Sequence, residues 1–113
     1  MSGQRSNGEN LRHGEATIET SEGQGFDVVL ADLPGAGYEW VPHEVPPGVV
    51  LLTADWADPL PTEAGASRRR SFRFAAEQPG SHTLVFHLVR PWESPDTAPA
   101  GEHTVSVEVA ARE

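Results

Sequence analysis

The sequence predicts an all-β protein, an antiparallel β-sandwich formed by a single domain. Three observations carry that expectation. Short segments of alternating apolar and polar residues recur along the chain, Gly and Pro crowd the stretches between them, and no segment keeps the helical period of about 3.6. A length of 113 residues allows one real core and no second one. There is no internal repeat.

Residues 1–14 are polar and carry nothing that would bury enough surface to order them. They read as a disordered tail ahead of a domain spanning residues 15–113. A first strand is predicted at Ala16–Thr20, followed by a turn at Ser21–Gly25. Phe26, Val28 and Leu30 then alternate with Asp27, Val29 and Ala31, the pattern of a half-buried strand. Leu33-Pro34-Gly35-Ala36-Gly37 is a loop by composition. Tyr38–Val41 resumes as a strand with Tyr38 and Trp40 on one face, and Pro46-Pro47-Gly48 ends it. Val49–Ala54 is a strand-length apolar run. Asp55–Ser67 is broken by Pro59, Pro61 and Gly65 and reads as a loop. Arg68–Ala76 alternates with Phe72, Phe74 and Ala76 inward, and Gln78-Pro79-Gly80 turns the chain. Ser81–Val89 carries Leu84, Phe86 and Leu88 on one face. After a loop at Arg90–Glu102, Thr104–Ala110 closes the domain with Val105, Val107 and Val109 inward.

Antiparallel connections alternate between the two ends of a sandwich. The loops 33–37, 55–67 and 90–102 therefore share one pole, and the tight Pro-Gly turns occupy the other. Long loops gathered at one pole of a rigid scaffold commonly carry binding. Within the last loop, Arg90-Pro91-Trp92-Glu93 stands out. Pro91 has a fixed φ and keeps Arg90 extended, so Trp92 is held with little freedom. Two readings of Trp92 stand: a rigid aromatic anchor on a binding surface, or a lid folded back over the core. The clustering of the loops favours the anchor.

Composition excludes several function classes. Without cysteine there is no disulfide framework, thiol nucleophile or cysteine-based zinc site. All eight basic residues are arginine, which together with many Ala, Gly and Pro points to a GC-rich bacterial genome. A net charge of −9 opposes nucleic acid as a partner. No run approaches membrane-spanning length, and residues 1–14 lack the apolar core of a signal peptide. As it stands the chain reads as cytoplasmic, or as secreted or periplasmic if an export signal was removed.

The chain resembles the chagasin-like inhibitors of papain-type cysteine peptidases, from about Ala16 to Ala110. The family motif R-P-W is met in full by Arg90-Pro91-Trp92. The motif N-P-T-T-G, followed by an aromatic, one residue and Trp, is met in part by Leu33-Pro34-Gly35-Ala36-Gly37-Tyr38-Glu39-Trp40. Of the motif G-x-G-G, Gly65-Ala66-Ser67-Arg68 keeps the first glycine. Ser71-Phe72-Arg73-Phe74 and the Pro79-Gly80 turn also fit.

The resemblance implies an immunoglobulin-like sandwich of about seven to eight strands. It also implies reversible, non-covalent inhibition, with three loops entering the peptidase cleft. The peptidase-binding residues would be Leu33, Pro34, Gly35, Ala36, Gly37, Gly65, Ala66, Ser67, Arg68, Arg90, Pro91 and Trp92. Trp92 would pack on the cleft wall beside the catalytic histidine, with Gly35 and Ala36 near the catalytic cysteine and residues 65–68 along the far side. No cofactor, metal or catalytic residue is implied; the partner is a papain-type cysteine peptidase and the inhibitor a monomer.

The departures from the family pattern bear on strength. Leu33 replaces an asparagine able to brace its own loop. Gly35 and Ala36 replace threonine hydroxyls, although their small size equally permits a closer backbone approach. Ser67 and Arg68 add bulk and charge where close approach favours glycine. Each loss costs about 1 kcal/mol or more.

The remaining constellations read as structural. Arg68-Arg69-Arg70 with Arg73 is predicted as a solvated edge strand, the alternatives being recognition of an acidic rim on a partner or a guard against edge pairing. The five histidines lack metal-site spacing. His82 is expected to make a structural hydrogen bond where such folds place a corner tyrosine. Asp55-Trp56-Ala57-Asp58 is expected to be a loop held down by Trp56, in preference to a calcium or sugar site. No G-x-S-x-G elbow, phosphate-cradling glycine loop or H-E-x-x-H helix is present, so no enzyme is predicted. Two rivals to inhibition remain: a non-inhibitory protein- or carbohydrate-binding module on the same scaffold, and an accessory domain of a larger surface protein.

Overall fold

The computed structural model describes residues 13–32, 37–59 and 68–112. They form seven strands: β1 (His13–Ser21), β2 (Gly25–Asp32), β3 (Glu39–Glu44), β4 (Val49–Trp56), β5 (Arg68–Ala76), β6 (Gly80–Val89) and β7 (Gly101–Ala110). A four-stranded sheet in the order β1-β7-β6-β3 faces a three-stranded sheet in the order β2-β5-β4. This is the predicted β-sandwich, with every expected strand present.

One pairing departs from the antiparallel expectation. β1 runs parallel to β7 along its whole length, from His13 opposite Glu102 to Ser21 opposite Ala110. The chain switches sheets at the Ser21–Gln24 turn, where the Gln24 amide donates to the Ser21 carbonyl at 3.0 Å. β1 also begins at His13, inside the stretch predicted as tail. Glu15, Ala16 and Thr17 are all exposed. Backbone pairing with β7 orders this segment, and a hydrophobicity pattern is blind to that.

Alternation builds the core as the sequence predicts. Phe26, Val28 and Leu30 of β2, with Phe72, Phe74 and Ala76 of β5, face Leu84, Phe86 and Leu88 of β6 and Val105, Val107 and Val109 of β7. Phe72 and Phe74 meet Phe86 across the sandwich at ring separations of 5.1 and 6.0 Å. Phe26 stacks on Phe74 at 5.4 Å, so one aromatic chain joins the two sheets. From β4 only Val49 is buried, and the seven residues after it are exposed.

The pole away from the long loops is closed by tight turns. Gly48 has φ +99°, and a side chain there would strike the His82 ring. The Gly48 carbonyl accepts the amides of Glu77 and Gln78 at 2.8 and 3.2 Å. His82 Nε2 donates to the Gln78 carbonyl at 3.0 Å, the structural hydrogen bond expected of this residue.

On β7, His103 is half-buried, edge-on to Trp40 at 6.2 Å, and Gly14 of β1 leaves room for its ring. Burial holds the imidazole below its ordinary value of 6.5. The unfolded chain takes up the proton first, so His103 favours the fold above that value and disfavours it as pH falls through it. Urea-denaturation midpoints should therefore drop less between about pH 7.5 and pH 5 in His103→Gln than in the wild type. An equal drop in both would remove His103 as the cause.

Candidate functional site: a pole of three loops

Strand registers bring the ends of the three long connections together. In the three-stranded sheet Asp32 lies opposite Arg68, and Trp56 opposite Arg70. In the four-stranded sheet Glu39 lies opposite Val89, and Leu88 opposite Gly101. Leu33, Pro34, Gly35, Ala36, Gly65, Ala66 and Ser67 lie outside the described residues, as does the inner part of the β4–β5 loop. The described ends of all three loops sit at one pole.

Asp32 ties the two sheets there. Its position continues the inward register of Phe26, Val28 and Leu30, and it is 1% exposed. Oδ1 accepts the backbone N–H of Trp40 at 3.0 Å, and Oδ2 accepts Nε of Arg70 at 3.2 Å. A terminal nitrogen of Arg70 lies 3.2 Å from Asp32 and 3.6 Å from Glu39. The Trp40 indole N–H donates to the Ala31 carbonyl at 3.0 Å. Both feet of the β2–β3 loop are thereby clamped. Neither Asp32 nor Arg70 is among the site residues predicted from sequence. The available signal was an acid on an apolar strand face, which demands a buried partner.

Trp92 is 70% exposed, so it is no lid on the core. Its ring lies over Gly37, where a Cβ would collide with the six-membered ring. Gly37 is needed for a second reason, its φ of +81°. The Arg90 guanidinium packs 4.4 Å from the Tyr38 ring centroid and 6.0 Å from that of Trp92. It also lies 3.7 Å from the Glu93 carboxylate, while the Glu93 amide donates to the Arg90 carbonyl at 3.0 Å. Tyr38 packs in turn against the core. Arg90, Trp92 and Gly37 thus form one braced unit that joins the β6–β7 loop to the β2–β3 loop.

On the other flank, two expectations are corrected. Asp55 and Trp56 belong to β4 and not to a loop, and Trp56 is 41% exposed. Arg68 and Arg70 lie 4.1 and 4.2 Å from its ring centroid. The Arg68–Arg73 stretch is no edge either, since β5 is the central strand of its sheet. Most of its charge is matched by acids on the neighbouring segments: Arg69 with Asp58 at 2.7 Å, Arg70 with Asp32, and Arg73 with Asp27 at 3.0 Å.

Register also creates a pair that histidine spacing conceals. His43 and His87 stack at 3.8 Å on the outer face of β3 and β6, with His87 3.2 Å from Glu102. Among the described residues no three His, Asp or Glu side chains converge to hold a metal ion.

Asp58 fastens the start of β5. It accepts the Arg69 side chain at 2.7 Å and the Arg69 amide at 2.9 Å, and these bonds pull its carboxyl down to about 2 from an ordinary 3.8. The lowered value favours the fold above pH 3.8, and the benefit is lost as pH falls towards about 2. Asp58→Asn should thus lower the urea midpoint at neutral pH and converge with the wild type near the acid end of that window. A deficit unchanged by acid would refute the assignment.

A family model described as chagasin family peptidase inhibitor I42 matches residues 19–109. No curated protein matches the chain. Among solved structures it is similar to the cysteine protease inhibitor EhICP2 from Entamoeba histolytica, with 22% identity, 86% of this chain and 96% of that one covered, and a TM-score of 0.65. Amebosin, solved in solution, shares 23% identity over 88% of this chain and 98% of its own, at a TM-score of 0.61. PbICP-C, solved in complex with falcipain-2, shares 20% identity over 96% of each chain, at a TM-score of 0.54. At these identities the structural likeness speaks for the shared sandwich. The family model, spanning five of the seven strands in full, most of β7 and the Arg90-Pro91-Trp92 loop, goes further: this protein belongs to the chagasin family of peptidase inhibitors, proteins that block peptidases and are not themselves enzymes.

Proposed function

We propose that the protein is a reversible, non-covalent inhibitor of papain-type cysteine peptidases, acting as a monomer. In this reading the β2–β3, β4–β5 and β6–β7 loops enter the active-site cleft together. The observation that carries it is Trp92, exposed to 70% yet braced by Gly37 and Arg90. An exposed indole that is already stiff loses little entropy when buried by a partner. The family membership and the cysteine protease inhibitor EhICP2 of the same fold support the same reading. So does the complex of PbICP-C with falcipain-2.

The contact set is Leu33 to Gly37, Gly65 to Arg68, and Arg90 to Trp92. Trp92 supplies the buried anchor on one wall of the cleft. Gly35 and Ala36 at the tip of the β2–β3 loop approach the peptidase's catalytic centre, their feet held by the Asp32 clamp. Inhibition needs no cofactor, because it works by filling the cleft and excluding substrate.

Titration of papain should give reversible inhibition with a sub-micromolar constant. Trp92→Ala should weaken it at least tenfold, the loss expected on truncating a buried anchor being about 2–4 kcal/mol. Gly37→Ala, which displaces the Trp92 ring, should weaken it while leaving a folded sandwich. No inhibition by the wild type at high micromolar concentration would overturn the proposal and leave a non-inhibitory binding module.

A further inference from the structure

The proposal above leaves unused a second exposed tryptophan at the same pole. Trp56 ends β4 where the β4–β5 loop departs, and Arg68 begins β5 where that loop returns. The Arg68 guanidinium lies 4.1 Å from the Trp56 ring centroid, and its Nε donates to the Asp58 carbonyl at 3.2 Å. A planar cation held against an indole and tethered at Nε is oriented before any partner arrives.

Its charge is also the odd one out. Arg69, Arg70 and Arg73 each lie within 3.2 Å of a carboxylate: Asp58, Asp32 and Asp27. Among the described residues Arg68 makes no ion pair with a carboxylate within 4 Å: its charge helps to lower the nearby Asp58 carboxyl, but its hydrogen bond goes to the neutral Asp58 carbonyl. The chain as a whole carries −9, so its body repels acidic surfaces. A cation at the docking pole reverses that sign locally and favours one orientation of approach. Arg68 further stands where the G-x-G-G pattern has its last glycine, so a charged fork replaces bare backbone at this point.

We propose that Arg68, held on Trp56, is a specificity-determining residue that binds an Asp or Glu side chain on the rim of the target peptidase's cleft. This rests on the inhibitory reading above. The guanidinium fork matches a carboxylate with two parallel N–H···O bonds, and the half-exposed indole excludes water from one side of the pair. Peptidases with an acidic rim on that flank are selected, and those with a neutral or basic rim are disfavoured.

The test uses one papain-type peptidase with an acidic rim and its variant in which the rim acids are changed to Asn or Gln. Against the acidic-rim enzyme, Arg68→Glu should weaken inhibition by about tenfold or more and Arg68→Gln by less, with the wild-type advantage shrinking at high salt. Against the neutralised enzyme both variants should stay within about threefold of the wild type. Trp56→Ala should reproduce part of the loss on the acidic-rim enzyme only. Urea midpoints of all variants exclude misfolding as the cause. Equal effects on both enzymes, or none on either while Trp92→Ala weakens both, would overturn this inference and leave the inhibitory reading standing. A wild type that inhibits neither enzyme would overturn both.

Discussion

One buried carboxylate organises the loop-bearing end of this molecule. Asp32 terminates an inward-facing strand register that is otherwise apolar, and it lies where the two sheets meet. Its two oxygens serve the Trp40 amide in one sheet and the Arg70 guanidinium in the other. Removing one partner from such a buried, hydrogen-bonded pair costs about 3–5 kcal/mol, because the surviving charge is stranded away from water. The arrangement is therefore intolerant of drift. Its geometric effect is to fix both feet of the β2–β3 loop, so the loop starts from a defined position.

The other wall is stiffened by different means. Arg90 bridges two aromatic rings, Tyr38 rooted in the core and Trp92 projecting from it. Pro91 fixes the backbone between the cation and the indole it supports. Gly37 supplies the space into which the indole leans. Two requirements coincide at that glycine, a left-handed φ and the absence of a Cβ, so its role is steric in both respects. Exposure of a large apolar side chain is normally a liability. Here it is the state to which its neighbours are fitted, consistent with a surface that awaits a partner.

Most of the sandwich was legible in the sequence because its strands obey a simple two-residue alternation. Phe72, Phe74 and Ala76, or Val105, Val107 and Val109, could be assigned inward without knowing their partners. What stayed hidden depends on pairing. The start of β1 is ordered by pairing with β7, ahead of Ile18, which packs on the core, so His13 and Gly14 looked like tail. The arginines of β5 looked like an edge because their ion-pair partners lie 46, 38 and 11 residues away along the chain. At the site, Arg90-Pro91-Trp92 could be read locally, since a proline-stiffened aromatic declares itself in three letters. Asp32 and Trp56 could not, because their meaning comes from the strands beside them.

The parallel alignment of β1 and β7 has a practical corollary. Both strands start at the loop-bearing pole and run away from it, so His13 lies beside the three loops and Arg112 leaves from the far side. An affinity tag or surface tether joined through the carboxyl end would present the three loops outward. The same handle joined at the start of β1 would sit beside those loops, on the side that the proposed inhibitory contact uses.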